Sequence, residues 1–280
     1  MRSTDLHREV FRSGSKTYFN SSLFFPRDVR DDVFVLYGFV RVADNYVDTV
    51  PQQPDEFHAF VDRYHRSLAG KATGDVIVDS FVDLAERKAF DPQWTEAFLH
   101  SMELDLSKRV HATLEEMLEY VYGSAEVIGL YMSRIMGLCR EADRAAAMLG
   151  RAMQVINFIR DIDEDNGLGR IYLPIAESDL SDLREETARA RKGEFIGFLS
   201  RQLDRYRAWQ SEAESGYSFI PRRYLVPIKT AADMYNWTAS TIESDPFVVF
   251  RRKVKPSRPR IVQTVLRNFI APRADTRVAS

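Results

Sequence analysis

Cysteine is all but missing from the 280 residues: Cys139 is the single one. That excludes an intramolecular disulfide framework and a cysteine-rich zinc module. It fits a reducing cytoplasm. Glycine (13) and proline (11) are sparse. They fall at breaks such as Pro51 and Pro54, Gly70 and Gly74, Pro92, Gly167 and Gly169, Pro221 and Pro246. No run approaches the roughly 18 apolar residues of a membrane span. The opening MRSTDLHREVFRSG lacks the apolar core of a secretory signal. Hairpin signals, internal repeats and low-complexity linkers are absent as well, which argues against a β-rich or modular chain. Neither charge dominates, since 39 Lys and Arg oppose 41 Asp and Glu for a net −2.

What is present suits a globular chain. Hydrophobic residues make up 45% and charged residues 29%, enough for a sizeable core and too apolar for disorder. Between the breaks, apolar residues recur at steps of three and four. The spacing predicts helices over 28–47, 54–69, 75–89, 93–106, 113–137, 140–166, 193–215 and 222–243, with Asp91 and Ser178 as N-caps. The expectation is an all-α single-domain helical bundle over 1–255, with a basic, partly flexible segment over 256–280. From Arg251 onward there are nine Lys or Arg and one acid, Asp275. A basic tail on an acidic body points to an anionic partner: a phosphate ligand, a membrane surface or nucleic acid. Nucleic acid is disfavoured, because the tail lacks interleaved aromatics.

Two stretches carry chemistry. In Tyr37-Gly-Phe-Val-Arg41-Val-Ala-Asp44-Asn-Tyr-Val-Asp48, the residues Tyr37, Arg41, Asp44 and Asp48 share a helical arc of roughly 60°. Their neighbours Val40, Val42, Ala43 and Val47 are apolar, so the helix is expected to be largely buried. Like charges one turn apart repel, and burial makes compensation necessary. A hydrated Mg²⁺ supplies it while keeping positions open for substrate phosphates. In the run from Gln154 to Asp165, the residues Gln154, Asn157, Asp161 and Asp165 share an arc of roughly 80°. Arg160 lies beside that stripe, within reach of a diphosphate oxygen. Two such acidic helices across one bundle suit diphosphate ionisation, with Mg²⁺ neutralising the departing pyrophosphate. The resulting cation needs a dry, aromatic pocket, for which Tyr18, Phe19, Phe24, Tyr37 and Tyr122 are candidates.

The motifs SKTYF (15–19), LYGFVRVADNYVD (36–48), YVYGSAEVIGLYM (120–132) and QVINFIRDIDEDNGLGRIYLP (154–174) carry a resemblance. From about Ser15 to Lys255 the chain resembles the squalene/phytoene synthases, which join two prenyl diphosphates head to head. The resemblance implies the all-α isoprenoid synthase fold with a central cavity. It implies Asp44, Asp48, Asp161 and Asp165 as Mg²⁺ ligands, with Asn157 assisting and Mn²⁺ able to replace Mg²⁺. Arg41, Arg160 and Gln154 would contact diphosphate oxygens, with Ser15 and Thr17 nearby. Tyr37 and Tyr122 would line the reaction centre. Arg170 would close the polar end, and Tyr235 with Arg251, Arg252, Lys253 and Lys255 would cover the diphosphates. Three positions depart from the pattern: Gly14 where some members have His, Asn45 where some have a second Asp, and Glu126 where many have a small residue. For Glu126 the open readings are a neutral acid, an Arg-paired acid or a subgroup marker, and not a metal ligand. The small residues Gly123, Ser124, Ala125, Gly129, Ser133 and Gly137 suit either a polyprenyl tail or close helix packing.

The expected reaction is condensation of two geranylgeranyl diphosphates to phytoene, in carotenoid biosynthesis, through a cyclopropylcarbinyl diphosphate. Squalene or dehydrosqualene from two farnesyl diphosphates is the alternative, with NADPH needed only for squalene. A head-to-tail synthase or a terpene cyclase would not explain YVYGSAEVIG with RIYLP. A non-catalytic assembly protein on the same fold would have no reason to keep four inward carboxylates. The expected state is a cytoplasmic monomer or weak homodimer, peripheral at the cytoplasmic membrane face, with no nucleic-acid partner.

Overall fold

The computed structural model describes His7 and residues 25–270. Among these the chain is helical, and its sole bridge pairs Val110 with Ile171. The helices are α1 (Arg27–Asp48), α2 (Pro54–Leu68), α3 (Val76–Arg87), α4 (Pro92–Ser107), α5 (Leu114–Val121), α6 (Val127–Ile135), α7 (Asp143–Arg160) and α8 (Ile162–Gly167), then α9 (Glu185–Ala190), α10 (Lys192–Glu214), α11 (Arg222–Ser244), α12 (Val248–Arg251) and α13 (Arg258–Ile270).

The starts are local chemistry. Asp75 accepts from the backbone N–H groups of Ile77 and Val78. Asp91 accepts from Gln93, with Pro92 in the first turn. Thr113 and Glu116 form a reciprocal capping box. Each satisfies donors that a helix start leaves unpaired. Ser178 does not start a helix. Its hydroxyl donates back to the Ile175 carbonyl at 2.9 Å, closing a 3₁₀ turn over Ile175–Glu177.

Two of the predicted helices are interrupted. The one over 113–137 contains a π-helical turn at Tyr122–Glu126, which inserts one residue and rotates the helix beyond it. The one over 140–166 bends at Asp161, whose φ of −101° and ψ of 16° leave the helical region. The bend keeps the ladder, since Asp161 N–H donates to Asn157 and Asp165 N–H to Asp161 at 2.8 and 2.9 Å.

Two apolar clusters make the core. One joins α1 to α4 with α6, centred on Phe39, which stacks on Phe81 at 3.9 Å. The other joins α5, α7, α10 and α11 with the 172–183 segment. The kinked α5–α6 rod crosses from the second cluster into the first. Its small residues serve packing: a Cβ on Gly123 would lie 2.0 Å from the Ala97 carbonyl oxygen, and one on Gly129 would lie 2.1 Å from that of Ala146. Such approaches exclude any side chain. They settle the small-residue stripe at these two positions in favour of helix contact.

Candidate active site

The first acidic motif sits on one face of α1. Arg41 Nη1 donates to Asp44 Oδ2. Burial pushes the Asp44 carboxyl up, Asp48 adds to it and Arg41 opposes, leaving it at about 7. Tyr37 lies within reach of Arg41 and Asp44, and burial pushes its hydroxyl up.

The second motif sits at the α7–α8 bend. Arg160 grips Asp161 through both oxygens, at 2.8 and 2.5 Å. Lys253, from the extended segment after α12, adds an ion pair to Asp161 at 3.3 Å and another to Glu164. Asp165 is different: no ion pair reaches it among the described residues, and burial together with Asp161 pushes its carboxyl up to about 8. A cavity of about 120 Å³ opens beside Arg160, Glu164, Arg251, Arg252 and Lys253. Arg251, Arg252 and Lys253 therefore lie beside the second motif.

Arg170 joins the two motifs. The turn Gly167–Gly169 ends with Gly169 at φ +70°, and the chain then runs back along the 109–111 loop. Ile171 N–H donates to Arg109 and His111 N–H to Ile171, both at 2.8 Å. That bridge holds Arg170 in the interior, where its guanidinium donates to Asp48 Oδ1 and to the Val47 carbonyl at 2.8 Å each. Its charge is felt at Asp165 as well. Behind it lies Asp105 of α4, only 3% exposed, accepting from the hydroxyls of Tyr120 and Tyr172 at 2.7 Å each. Burial pushes Asp105 up, while Arg170 and the two tyrosines pull it down. Tyr172 stacks on Phe158 at 4.5 Å and 7°, and on His111 at 5.5 Å and 20°.

Sequence reasoning does not single out Asp105, Tyr120, Tyr172 or His111. Asp105 has a signal: it stands three, four and seven residues after Met102, Ser101 and Phe98, all buried, so it is an acid on the inward face of its helix. Tyr122, expected at the reaction centre, is instead 41% exposed and within range of Asp91 and Glu126. The π-turn begins at Tyr122, while Tyr120, on the regular turn before it, faces inward. Tyr120→Phe is expected to lower turnover by about tenfold or more, the worth of a hydrogen bond to a buried charge. Tyr122→Phe is expected to change it by no more than about twofold, as for other surface substitutions. Steady-state rates of the two variants decide, and a larger loss at Tyr122 would reverse the assignment.

Glu126 is buried and paired with Arg151 at 2.6 Å, the Arg-paired reading of the sequence. Gln154 and Asn157 are half-buried on α7. Tyr235 packs on the second cluster, within range of Tyr206. Ser15, Thr17, Tyr18, Phe19 and Phe24 lie outside the described residues.

The donor set fits a hard divalent cation. The Asn157 Oδ1 is buried with no hydrogen-bond partner among the described residues. Asp44 and Asp165 are held above the ordinary carboxylate range by burial and by a neighbouring carboxylate each. All these donors are oxygens, which Mg²⁺ prefers. No three His, Cys, Asp or Glu among the described residues converge to hold an ion alone, so phosphate oxygens would have to complete the coordination. The charge at Asp165 therefore works against the metal-free fold. Because its folded-state value is raised, the stability it contributes is present below about pH 4 and is lost as pH climbs through about 8. Asp165→Asn is expected to raise the melting temperature of metal-free protein by about 2–4 °C at the alkaline end, with no gain at the acid end. Calorimetry across pH checks it, and a loss of stability at alkaline pH would contradict it.

Comparison with known proteins gives consistent matches. The sequence profile described as "Squalene/phytoene synthase" matches residues 11–260. A 15-cis-phytoene synthase of Paracoccus sp. strain N81106 is 27% identical over 261 residues, 89% of this chain and 85% of the relative. Phytoene synthase 2, chloroplastic, of Solanum lycopersicum is 27% identical over 282 residues, 95% of this chain and 91% of the relative. Among solved structures, a dehydrosqualene synthase in complex with ligand superposes with a TM-score of 0.83 at 21% identity, covering 95% of each chain. A squalene synthase from Alicyclobacillus acidocaldarius superposes at 0.78 with 23% identity, covering 88% of this chain and 94% of that one. At these identities the structures speak for the fold, which is that of the all-α isoprenoid synthases.

Proposed function

The chain belongs to the squalene/phytoene synthase family, enzymes that join prenyl diphosphates head to head, and from that premise we propose that it condenses two geranylgeranyl diphosphates to phytoene in the presence of Mg²⁺. The observation that carries the reading is Arg170, which ties Asp48 to the 165–172 segment above the buried Asp105–Tyr120–Tyr172 triad. That arrangement makes one polar floor from two acidic motifs, each able to serve one diphosphate. The twenty-carbon substrate and non-reductive product are supported by the phytoene synthase names of the relatives.

The residues divide the work. Asp44, Asp48, Asn157, Asp161 and Asp165 would hold Mg²⁺, which when bound neutralises the pyrophosphate leaving group. Arg41, Arg160 and Lys253 pair with these acids and lie close enough to transfer hydrogen bonds to diphosphate oxygens. Gln154, half-buried on α7, would add another contact. As the first C–O bond breaks, the allylic cation is attacked by the double bond of the second substrate. Proton loss closes a cyclopropylcarbinyl diphosphate. A second ionisation, rearrangement and proton loss give the linear product. Tyr37 and Tyr120, with Phe158 and Tyr172 behind, present apolar faces of negative quadrupole that exclude water and favour positive charge. The raised Tyr37 and Tyr120 hydroxyls stay protonated and serve as donors.

The test is a product assay. Pure protein with Mg²⁺ is given geranylgeranyl or farnesyl diphosphate, with and without NADPH, and the hydrocarbon is identified by mass and ultraviolet spectrum. Phytoene from the twenty-carbon substrate is the expected result. Dehydrosqualene, or squalene with NADPH, from the fifteen-carbon substrate alone would overturn the substrate assignment. Absence of pyrophosphate release from either substrate by folded protein would overturn the reaction.

A further inference from the structure

Helix α13 is docked the wrong way round for a surface helix. Its two buried residues are polar: Asn268 Nδ2 donates to Asp233 Oδ2 at 2.8 Å and to Thr230 Oγ1 at 3.2 Å, and Thr264 is buried beside it, while Ile261 and Val265 on the same side are half-buried. Its outward face is apolar. Val262, Leu266, Phe269 and Ile270 are 58, 57, 63 and 77% exposed. On a helical projection these four fall within roughly 100° of arc. An ordinary amphipathic helix puts such a stripe against the core. Here the hydrogen bonds to α11 fix the helix so that the stripe faces out, and a contiguous apolar stripe marks a contact surface.

The margins of the stripe are basic. Arg258 borders one side. Arg260, stacked over Trp237 at 4.9 Å, and Arg267, paired with Asp233 at 2.9 Å, border the other. Arg222, at the start of α11, donates to the Phe269 carbonyl and lies over its ring at 5.8 Å. Between Arg251 and Ile270 there are seven Lys or Arg and no acid.

We infer that the outer face of α13 is a docking surface for an anionic lipid bilayer. Apolar side chains would enter the acyl boundary while the flanking arginines meet phosphate headgroups, the arrangement of an interfacial helix. Charge selects this occupant. A second copy would set two basic margins against each other, which is repulsive. The last ten residues, APRADTRVAS, carry one bulky apolar residue, Val278, and two more arginines, too little to cover the stripe. Among the described residues no helix is long and apolar enough to cross a membrane, so this surface would give reversible attachment. The inference names a partner for the proposed enzyme of lipid substrates, and its test contains no substrate, so the two stand or fall separately.

The test is co-sedimentation with vesicles of phosphatidylcholine, with and without phosphatidylglycerol, at low and high salt. Wild-type protein is expected to bind the anionic vesicles, and less so at high salt. Two pairs of substitutions probe the two components: Leu266→Gln with Phe269→Gln, and Lys255→Gln with Arg258→Gln, all at exposed positions. Each pair is expected to weaken binding by about tenfold or more, with circular dichroism and gel-filtration volume unchanged. Should the apolar pair fail to fold, the basic pair still decides. Absence of vesicle binding by wild type, or equal binding by the folded variants, would overturn the inference. So would a wild-type dimer that the Leu266 and Phe269 substitutions dissolve, since the stripe would then face a second copy.

Discussion

Arg170→Met is expected to destabilise the protein by about 3–5 kcal/mol, the usual consequence of leaving a buried charge, here Asp105, uncompensated. Its side chain is 5% exposed. The substitution removes the positive charge that offsets the buried Asp105 carboxylate, whose two donors are the tyrosine hydroxyls, and it strips Asp48 and the Val47 carbonyl of their Arg170 donor. The melting temperature should fall by roughly 10 °C, and turnover should be lost with the alignment of the two motifs. A second substitution separates charge from packing. Adding Asp105→Asn removes the uncompensated carboxylate but keeps a hydrogen-bonding group of the same shape. The double variant should therefore be more stable than Arg170→Met alone. If it is less stable, the loss at Arg170 comes from packing, and the electrostatic account of this floor is wrong.

Asp161→Asn is expected to lower kcat by about 10²–10³-fold or more, on the scale of losing one preorganised electrostatic contact to the reacting group. The amide keeps the side-chain volume and leaves the Asn157–Asp161–Asp165 backbone ladder intact, so circular dichroism should be unchanged. Unlike Asp165, Asp161 is compensated by Arg160 and Lys253. Its neutralisation should bring no stability gain, which distinguishes the two acids of one motif by calorimetry. Turnover near the wild-type rate would remove Asp161 from the site and leave the second motif a solvated helix face.

Most helices are legible in the sequence because their signals are local. Apolar spacing and the cap at Asp91 are read along the chain, and the expected ends of α1, α2, α4, α10 and α11 fall within a residue or two of those observed. The acid pairs are legible for the same reason: they lie one turn apart, on helices otherwise apolar. What escapes depends on distant packing. Tyr120 and Tyr122 stand two residues apart in one motif, and only the π-turn and the Asp105 contact distinguish them. Asp105 lies 67 residues from Tyr172 along the chain, and the two meet only because the 109–111 loop pairs with Ile171. Helix α13 escapes because its apolar stripe faces outward, so periodicity there does not report a core.

The most direct test of the central claim, that two acidic motifs serve two diphosphates, is the stoichiometry of binding. Titration calorimetry with a non-ionisable thiolo analogue of geranylgeranyl diphosphate would count the sites. The account predicts two equivalents per chain when Mg²⁺ is present, and a large loss of affinity when it is chelated. A single equivalent, or binding indifferent to Mg²⁺, would contradict it.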